Sequence, residues 1–352
     1  MLDTWGDANL AALVGLIGGI MLGLAARLGR FCTLGAIEDV LYGGSDQRLR
    51  LWIAAIGFSI IGSFGLMALG QFDPAQSFYL GQRWVPMASI AGGLLFGYGM
   101  ALAGNCGFTA LARLGGGDLR SFVIVVVIGL SAYATLSGPL APLRLAVLPA
   151  STPGTEPNGI AHMLGQFTGL ATPLIGVILG VLAVAYALSN KTFRQDRSAI
   201  FWSLVIAASV VFAWAGMSYI NRNGFEDLSV VSHTFSAPIG ESILYGMTST
   251  GRGLSFGIGS VAGVWVGAFI GSLIKGHFRW EACEDPRELR RQIFGAGIMG
   301  VGAVIALGCS VGQGLSAFSI LSFSAPVTFA AIFAGAAIGL RQLIVGFGQV
   351  QS

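Results

Sequence analysis

Charged side chains are scarce in this 352-residue chain: Asp, Glu, Lys and Arg together make up 10% of it, against about 25% in a soluble globular domain. That scarcity excludes a water-exposed surface over most of the molecule. Histidine is rarer still, with three residues. No HxxxH or CxxC spacing occurs, so zinc sites of the usual kinds and dithiol redox motifs lack their ligands, and no metal is expected. There is no GxxxxGK[ST] loop to cradle nucleotide phosphates, which excludes an ATP motor of the P-loop kind. No cofactor and no nucleic-acid partner are expected of a chain with so few ionic groups and a net charge of +3.

What is present in excess is apolar. Hydrophobic residues make up 54% of the chain and the mean hydropathy is +0.77. A bilayer core of about 30 Å needs about 20 apolar residues per helix, and nine stretches qualify: Ala8 to Ala26, Leu51 to Gly70, Pro86 to Ala103, Leu119 to Leu136, Gly169 to Leu188, Ala199 to Ile220, Phe256 to Ile274, Ile293 to Leu307 and Ala325 to Phe347. The fold class expected is an all-α polytopic membrane protein. The first stretch is not read as a cleavable signal, because Leu2 to Asp7 carries two acids and no basic region. No extramembrane domain is expected, so residues 1–352 form one membrane transport domain. Lys and Arg are retained on the cytoplasmic side. With nine spans and the N-terminus outside, the outer side keeps only Arg83, Arg144, Arg222 and Arg252, and the other 15 of the 19 basic residues fall inside. The C-terminus is then inside.

Two of the four cysteines occupy matching places. Gly97, Gly99, Asn105 and Cys106 have the spacing of Gly300, Gly302, Gly308 and Cys309, with a glycine nine and another seven residues ahead of each thiol. The span before Cys106 runs inward and the span before Cys309 outward, so the two units are antiparallel. A weaker match sets Gly29, Arg30 and Gly35 against Gly251, Arg252 and Gly257, with Cys32 opposite Leu254. Together they predict an inverted repeat of four spans, one connecting span and four spans: residues 1–140 as the first repeat, 141–198 as the connector and 199–352 as the second. Inverted repeats of transporters meet near the bilayer midplane, where broken helices build the substrate site.

Phe31 to Val40, Gly104 to Leu114, Ala237 to Met247 and Ser310 to Phe323 are too apolar for loops and too short or glycine-broken to cross. Irregular backbone at membrane depth must line a cavity or lie buried in protein, and re-entrant half-helices are the natural reading. Their N-termini offer free N–H groups and a positive dipole end, which suit an anion. Most of the 54 glycines are expected to pack helices; Gly104, Gly107 and Gly308, beside the thiols, are expected at the site. Cys32, Cys106 and Cys309 each fall at a turn into a half-helix, amid Thr33, Asn105, Thr109, Ser310 and Gln313. Cys283, among Glu281, Glu284 and Asp285, reads as a loop residue.

The strings GRFCTLGAIEDV (Gly29 to Val40), GNCGFTALARLGGGDLRS (Gly104 to Ser121) and GCSVGQGLSAFS (Gly308 to Ser319) resemble those of the YeeE/YedE family of membrane proteins, the sulfur-transport family. That resemblance implies nine spanning helices with short re-entrant ones in an inverted arrangement, a bacterial cytoplasmic (inner) membrane, and Cys32, Cys106 and Cys309 as pathway cysteines. It implies thiosulfate as substrate, as in one branch of the family, with a sulfur or selenium compound as the alternative carried by related members. A cytoplasmic sulfur-carrier protein or sulfurtransferase is the partner expected to consume it, besides membrane lipid.

Thiols suit such an ion. The terminal sulfur of thiosulfate is large, soft and negative, while SH is a weak donor and its sulfur a weak acceptor. A succession of weak contacts holds the ion without trapping it, as conduction requires. Neutral thiols are expected, because thiolates would repel a dianion. The chain is therefore read as no enzyme; the rival of another class is a membrane thiol oxidoreductase. Arg30, Arg113 and Arg252 are candidate anion contacts or helix-end anchors, Glu241 a partner for Arg252, and His162, His233 and His277 loop residues.

Overall fold

The computed structural model describes residues 6–147, 159–226, 228–282 and 285–345. Cys283 and Glu284 of the charged stretch, Leu2 of the leading segment and Phe347 at the end of the ninth expected span lie outside them. The elements are helices, in the order α1 (Asp7–Leu28), α2 (Thr33–Leu41), α3 (Gln47–Ala68), α4 (Pro86–Ala103), α5 (Gly107–Leu114) and α6 (Leu119–Leu136). Then come α7 (Ala141–Val147), α8 (Ile160–Thr168), α9 (Thr172–Leu188) and α10 (Lys191–Gln195). The last group is α11 (Arg197–Asn223), α12 (Ser236–Thr248), α13 (Phe256–Ile274), α14 (Pro286–Ile305) and α15 (Ser324–Val345). Between α14 and α15 a short helix runs from residue 310 to 319 and widens into π geometry over Gly312–Ala317.

Helix starts follow from local chemistry. Asp118 caps α6 by accepting the N–H groups of Arg120 and Ser121, Asp196 caps α11 through Ala199, and Ser255 caps α13 through Ile258. Pro86 opens α4, where its missing N–H costs nothing. Among the described residues seven helices are long and apolar enough to cross a bilayer, or eight if the bent pair α8 and α9 is one span. In that count α1 with α2, and α4 with α5, are single interrupted spans, Asp7–Leu41 and Pro86–Leu114. The half-helices after Cys32 and Cys106 thus extend the helices before them. α14 has Arg287, Glu288, Arg290 and Arg291 in its first turns, and its apolar remainder holds the eighth of the nine expected stretches.

Glycine sets the packing. On α1, Gly15, Gly19 and Gly23 recur every fourth residue and face Gly259, Gly263 and Gly267 of α13. A Cβ on Gly15, Gly19 or Gly23 would strike the carbonyl oxygens of Phe256, Ser260 and Val264 in turn, so these parallel helices touch backbone to backbone. Without water to drive association, close contact between small residues is what holds membrane helices together. α4 and α14 are antiparallel: Gly92 lies against Gly302 and Ala306, and Gly99 against Gly295 and Met299. The glycines matched in the sequence have matched neighbours. Gly99 and Gly302 each pack on the other's helix, while Gly97 meets Ile332 of α15 and Gly300 meets Ile128 of α6.

The order long, short, long, long, short, long runs from α1 to α6 and again from α11 to α15, the 310–319 helix being the second short piece. In this order the gap between α1 and α2 corresponds to the gap between α11 and α12. Phe235, not Leu254, therefore stands where Cys32 stands. Of the glycine-arginine match, Gly251 and Arg252 fall in the link into α13 and Gly257 in its first turn, whereas Gly29 to Gly35 span the gap between α1 and α2.

Candidate functional site

Three interruptions share one local device. α1, α4 and α14 each give way to a residue with positive φ, namely Arg30 (54°), Gly104 (75°) and Leu307 (55°), and in each case the cysteine follows two positions later. Gly104 adopts this conformation freely; for Arg30 and Leu307 it costs roughly 1–2 kcal/mol, a strain that the surrounding packing sustains. Cys32 and Cys106 are then the N-caps of α2 and α5, and Cys309 precedes the 310–319 helix. Each thiol is engaged by the residue three positions on. Gly35 N–H donates to Cys32 Sγ at 3.4 Å, Gly312 N–H to Cys309 Sγ at 3.5 Å, and Thr109 Oγ1 lies 3.3 Å from Cys106 Sγ.

These caps converge. Thr109 Oγ1 also reaches Cys32 Sγ at 3.7 Å, so one hydroxyl bridges two thiols. Ser310, next in chain to Cys309, sets its side chain beside the Cys106 thiol but outside hydrogen-bonding geometry, leaving its Oγ without a partner. On the other side of Cys309, Phe235 N–H donates to its Sγ at 3.4 Å and Thr234 Oγ1 stands 3.6 Å away. The N-terminal ends of α2, α5, α12 and the 310–319 helix thus meet around three free thiols. Cys106 and Cys309 are 1% exposed. Phe31, Phe108 and Phe235 line up beside them at ring separations of 6.1 and 5.2 Å, with Trp52 stacked on Phe31 at 4.2 Å.

The other expected residues take different places. Thr33 and Asn105 are both 2% exposed, and Thr33 Oγ1 and Asn105 Oδ1 have no partner. Gly107 is the first residue of α5, with only ordinary contacts around a Cβ there. Gln313 is turned back as a brace, its Nε2 donating to the carbonyls of Ala306 (2.9 Å) and Leu307 (3.2 Å) while Oε1 accepts from Ser324. It holds the break and faces no thiol.

A chamber of about 440 Å³ opens between α6, α12, α13 and α14, lined by Tyr79, Thr234, Ser236, Glu241 and Gly308 among others, and it ends beside Cys309. Glu241 faces this chamber with its carboxylate against Gly257, and among the described residues no ion pair joins it to Arg252. A narrower cleft next to it is lined by Arg83 and Arg144. Beyond Cys32 the surroundings are ionic: Arg48 pairs with Asp39 at 3.2 Å, and Arg113 lies near Arg27 and Glu38. Arg30 stands by Lys275, whose pKa is lowered by burial and then by Arg30 and Arg27. His233 does lie in the non-helical segment before α12, but it is fully buried, with Nδ1 2.7 Å from Ser260 Oγ; His162 corrects its reading as a loop residue, because it lies on α8.

Sequence reasoning missed Tyr79, Thr234, Phe235 and Arg48. Phe31 and Phe108, each within two positions of a thiol, are the one local signal of the aromatic file.

A family model described as sulphur transport matches residues 28–338, which includes all three interruptions. The chain belongs to the sulphur transport family. A relative from Spirochaeta thermophila, the thiosulfate transporter TsuA, is 26% identical over 327 residues, covering 88% of this chain and 92% of its own. The thiosulfate transporter TsuA of Escherichia coli is 25% identical over 324 residues, 86% of each chain. Both relatives are named as transporters and not as enzymes.

Proposed function

We propose that this chain takes up thiosulfate across a bacterial cytoplasmic membrane, along a route that passes Cys309, Cys106 and Cys32 in that order. The observation that carries this reading is the convergence of three thiols between the chamber and the ionic end. Thr234 Oγ1 contacts Cys309, Ser310 follows Cys309 in the chain with its side chain beside Cys106, and Thr109 Oγ1 joins Cys106 to Cys32. The names of the relatives support thiosulfate as the cargo.

Thr109 joins two of the thiols through one hydroxyl, and hydroxyl and thiol are both neutral and weak for a sulfur-tipped anion. Four helix N-termini aimed at the same place supply diffuse positive potential without a fixed cation that would trap the ion. Partnerless Thr33, Asn105 and Ser310 oxygens at buried positions fit a route that is occupied in passage. We read the repeated element order and the antiparallel α4 and α14 as an inverted repeat, with the N-terminus outside, supported by the 15 of 19 basic residues that this orientation puts in the cytoplasm. A sulfur-carrier protein or sulfurtransferase then receives the ion at the Arg48 and Arg113 end.

The test is growth of a sulfur-auxotrophic strain, lacking its own thiosulfate uptake, on thiosulfate, sulfate, sulfite or selenium compounds with and without this protein. Rescue on thiosulfate alone is expected, and Cys106→Ala or Cys309→Ala at equal membrane abundance abolishes it. Rescue on a selenium compound but not thiosulfate would reassign the cargo, and growth indifferent to all three cysteine replacements would remove the route.

A further inference from the structure

We propose that Arg48, seated against Gly35, forms an oxyanion station immediately beyond Cys32, which takes the sulfonate end of the ion as its sulfur leaves the last thiol. The inference rests on the reading of the thiols as the route. Arg48 lies in the first turn of α3, yet its guanidinium packs on the first turn of α2: a Cβ at Gly35 would collide with Nη1, and Cζ would be 3.5 Å from it. Gly35 is also the residue whose N–H donates to Cys32 Sγ at 3.4 Å. One residue therefore separates the guanidinium from the thiol, and that residue must be glycine for the two to meet.

The guanidinium is held in a way that leaves its fork available. Asp39 Oδ2 engages Nε at 3.2 Å, and the Arg48 side chain is 37% exposed, so the Nη atoms facing Gly35 remain free to bind. A pair this exposed is weak and exchanges readily. Thr33, in the same turn, is 2% exposed and its Oγ1 has no partner. A planar fork of donors matches a tetrahedral oxyanion, for which arginine is better shaped than lysine. Chemically the two ends of thiosulfate are unlike: the soft sulfur suits thiols and the hard sulfonate oxygens suit a guanidinium. Weak contacts carry the ion as far as Cys32, and a stronger site on the exit side is what draws it off.

The experiment uses the full-length protein in sealed vesicles of both orientations with radiolabelled thiosulfate. Arg48→Gln is expected to reduce uptake about tenfold, to raise KM severalfold from the Cys32 side and to leave KM from the Cys309 side unchanged. Arg48→Lys retains an intermediate rate, and sulfate on the Cys32 side competes with thiosulfate in the native protein but not in Arg48→Gln. Gly35→Ala, which displaces the guanidinium without removing it, reproduces the KM change and covers the case in which Arg48→Gln fails to insert. Asp39→Asn lowers KM from the Cys32 side. Unchanged KM from both sides in Arg48→Gln and Gly35→Ala overturns the station. Normal transport by Cys32→Ala, Cys106→Ala and Cys309→Ala alongside a KM change in Arg48→Gln overturns the thiol route and leaves the station standing.

Discussion

Serine, threonine, asparagine and aspartate cap helices because oxygen accepts the free N–H groups well; at the interruptions of this chain that place is taken by cysteine. Sulfur accepts weakly, so Cys32 and Cys309 meet Gly35 and Gly312 N–H groups at 3.4 and 3.5 Å and leave much of each helix end unsatisfied. An anion arriving there replaces a poor partner. Replacing Cys32 by serine strengthens the cap of α2 by a few tenths of a kcal/mol or more while hardening the contact, and uptake is expected to fall even though the protein's thermal stability does not. Thr109 is the sharper case, since its single hydroxyl serves Cys106 and Cys32 together. Thr109→Val, nearly the same shape, is expected to cut thiosulfate uptake about tenfold, and Thr109→Ser to restore most of it; equal rates for valine and serine would mean that the hydroxyl is not part of the route. Cys106 and Cys309 could be found from glycine spacing, because the same break is built twice. Cys32 was marked by its turn into a half-helix and by the family resemblance but not by the repeat, since its counterpart in element order is Phe235, which carries no thiol and contributes a backbone N–H to Cys309 instead. Arg48 was invisible for a different reason. Nothing local marks an arginine at a helix start as reaching across to another helix's first turn.

The interrupted helices depend on rigid neighbours, because a break at membrane depth frees carbonyls that lipid cannot satisfy. Gln313 deals with two of these, at Ala306 and Leu307. Gln313→Leu fills the same space without donors, and leaving those carbonyls unpaired costs roughly 1–3 kcal/mol. A lower unfolding temperature in detergent is expected, with sulfate and thiosulfate discrimination retained in the protein that remains folded. The glycine seam between α1 and α13 is the second support. Gly263 lies where a Cβ would strike Leu16 O, and Gly267 where it would strike Ile20 O, so Gly263→Leu must separate the two helices. Overpacking of this kind costs about 1–3 kcal/mol, occasionally more, and here the damage extends to the interruption after α1 and hence to Cys32. Loss of folded protein from the membrane, measured by fluorescence-detected size exclusion, is the expected outcome, whereas Gly65→Ala, at a position with no atom within 4 Å of the added Cβ, is tolerated. The sequence pointed to most glycines as packing residues, and these pairs bear that out. It could not tell which glycine faces which helix, because partners such as Gly19 and Gly263 are far apart in the chain and meet only once the bundle closes.

Taken as one body, the protein offers a chamber on one side, three thiols at the centre and an ionic end on the other, with Cys309 and Cys106 almost wholly enclosed. Carrying a dianion through such a body has an electrical cost that no side chain removes. Each elementary charge moved across 100 mV is worth about 2.3 kcal/mol, so two charges against a negative interior require about twice that, more than a thousandfold in concentration ratio. The chain has no P-loop, and the file from Cys309 to Cys32 contains only neutral groups. The energy must therefore enter as a gradient, through a high outside concentration of the ion, an accompanying cation or removal of the ion by cytoplasmic chemistry. In vesicles free of ATP, thiosulfate flux is expected to continue undiminished and to rise when an inside-positive potential is imposed with potassium and valinomycin. The slope of accumulation against potential then counts the net charge per cycle. Two charges mean that the ion crosses alone, and a flat response means that two cations cross with it. Flux that stops without ATP would contradict a gradient-driven route, and would require an energy-coupling partner bound where the basic residues gather around Arg27, Arg113 and Lys275.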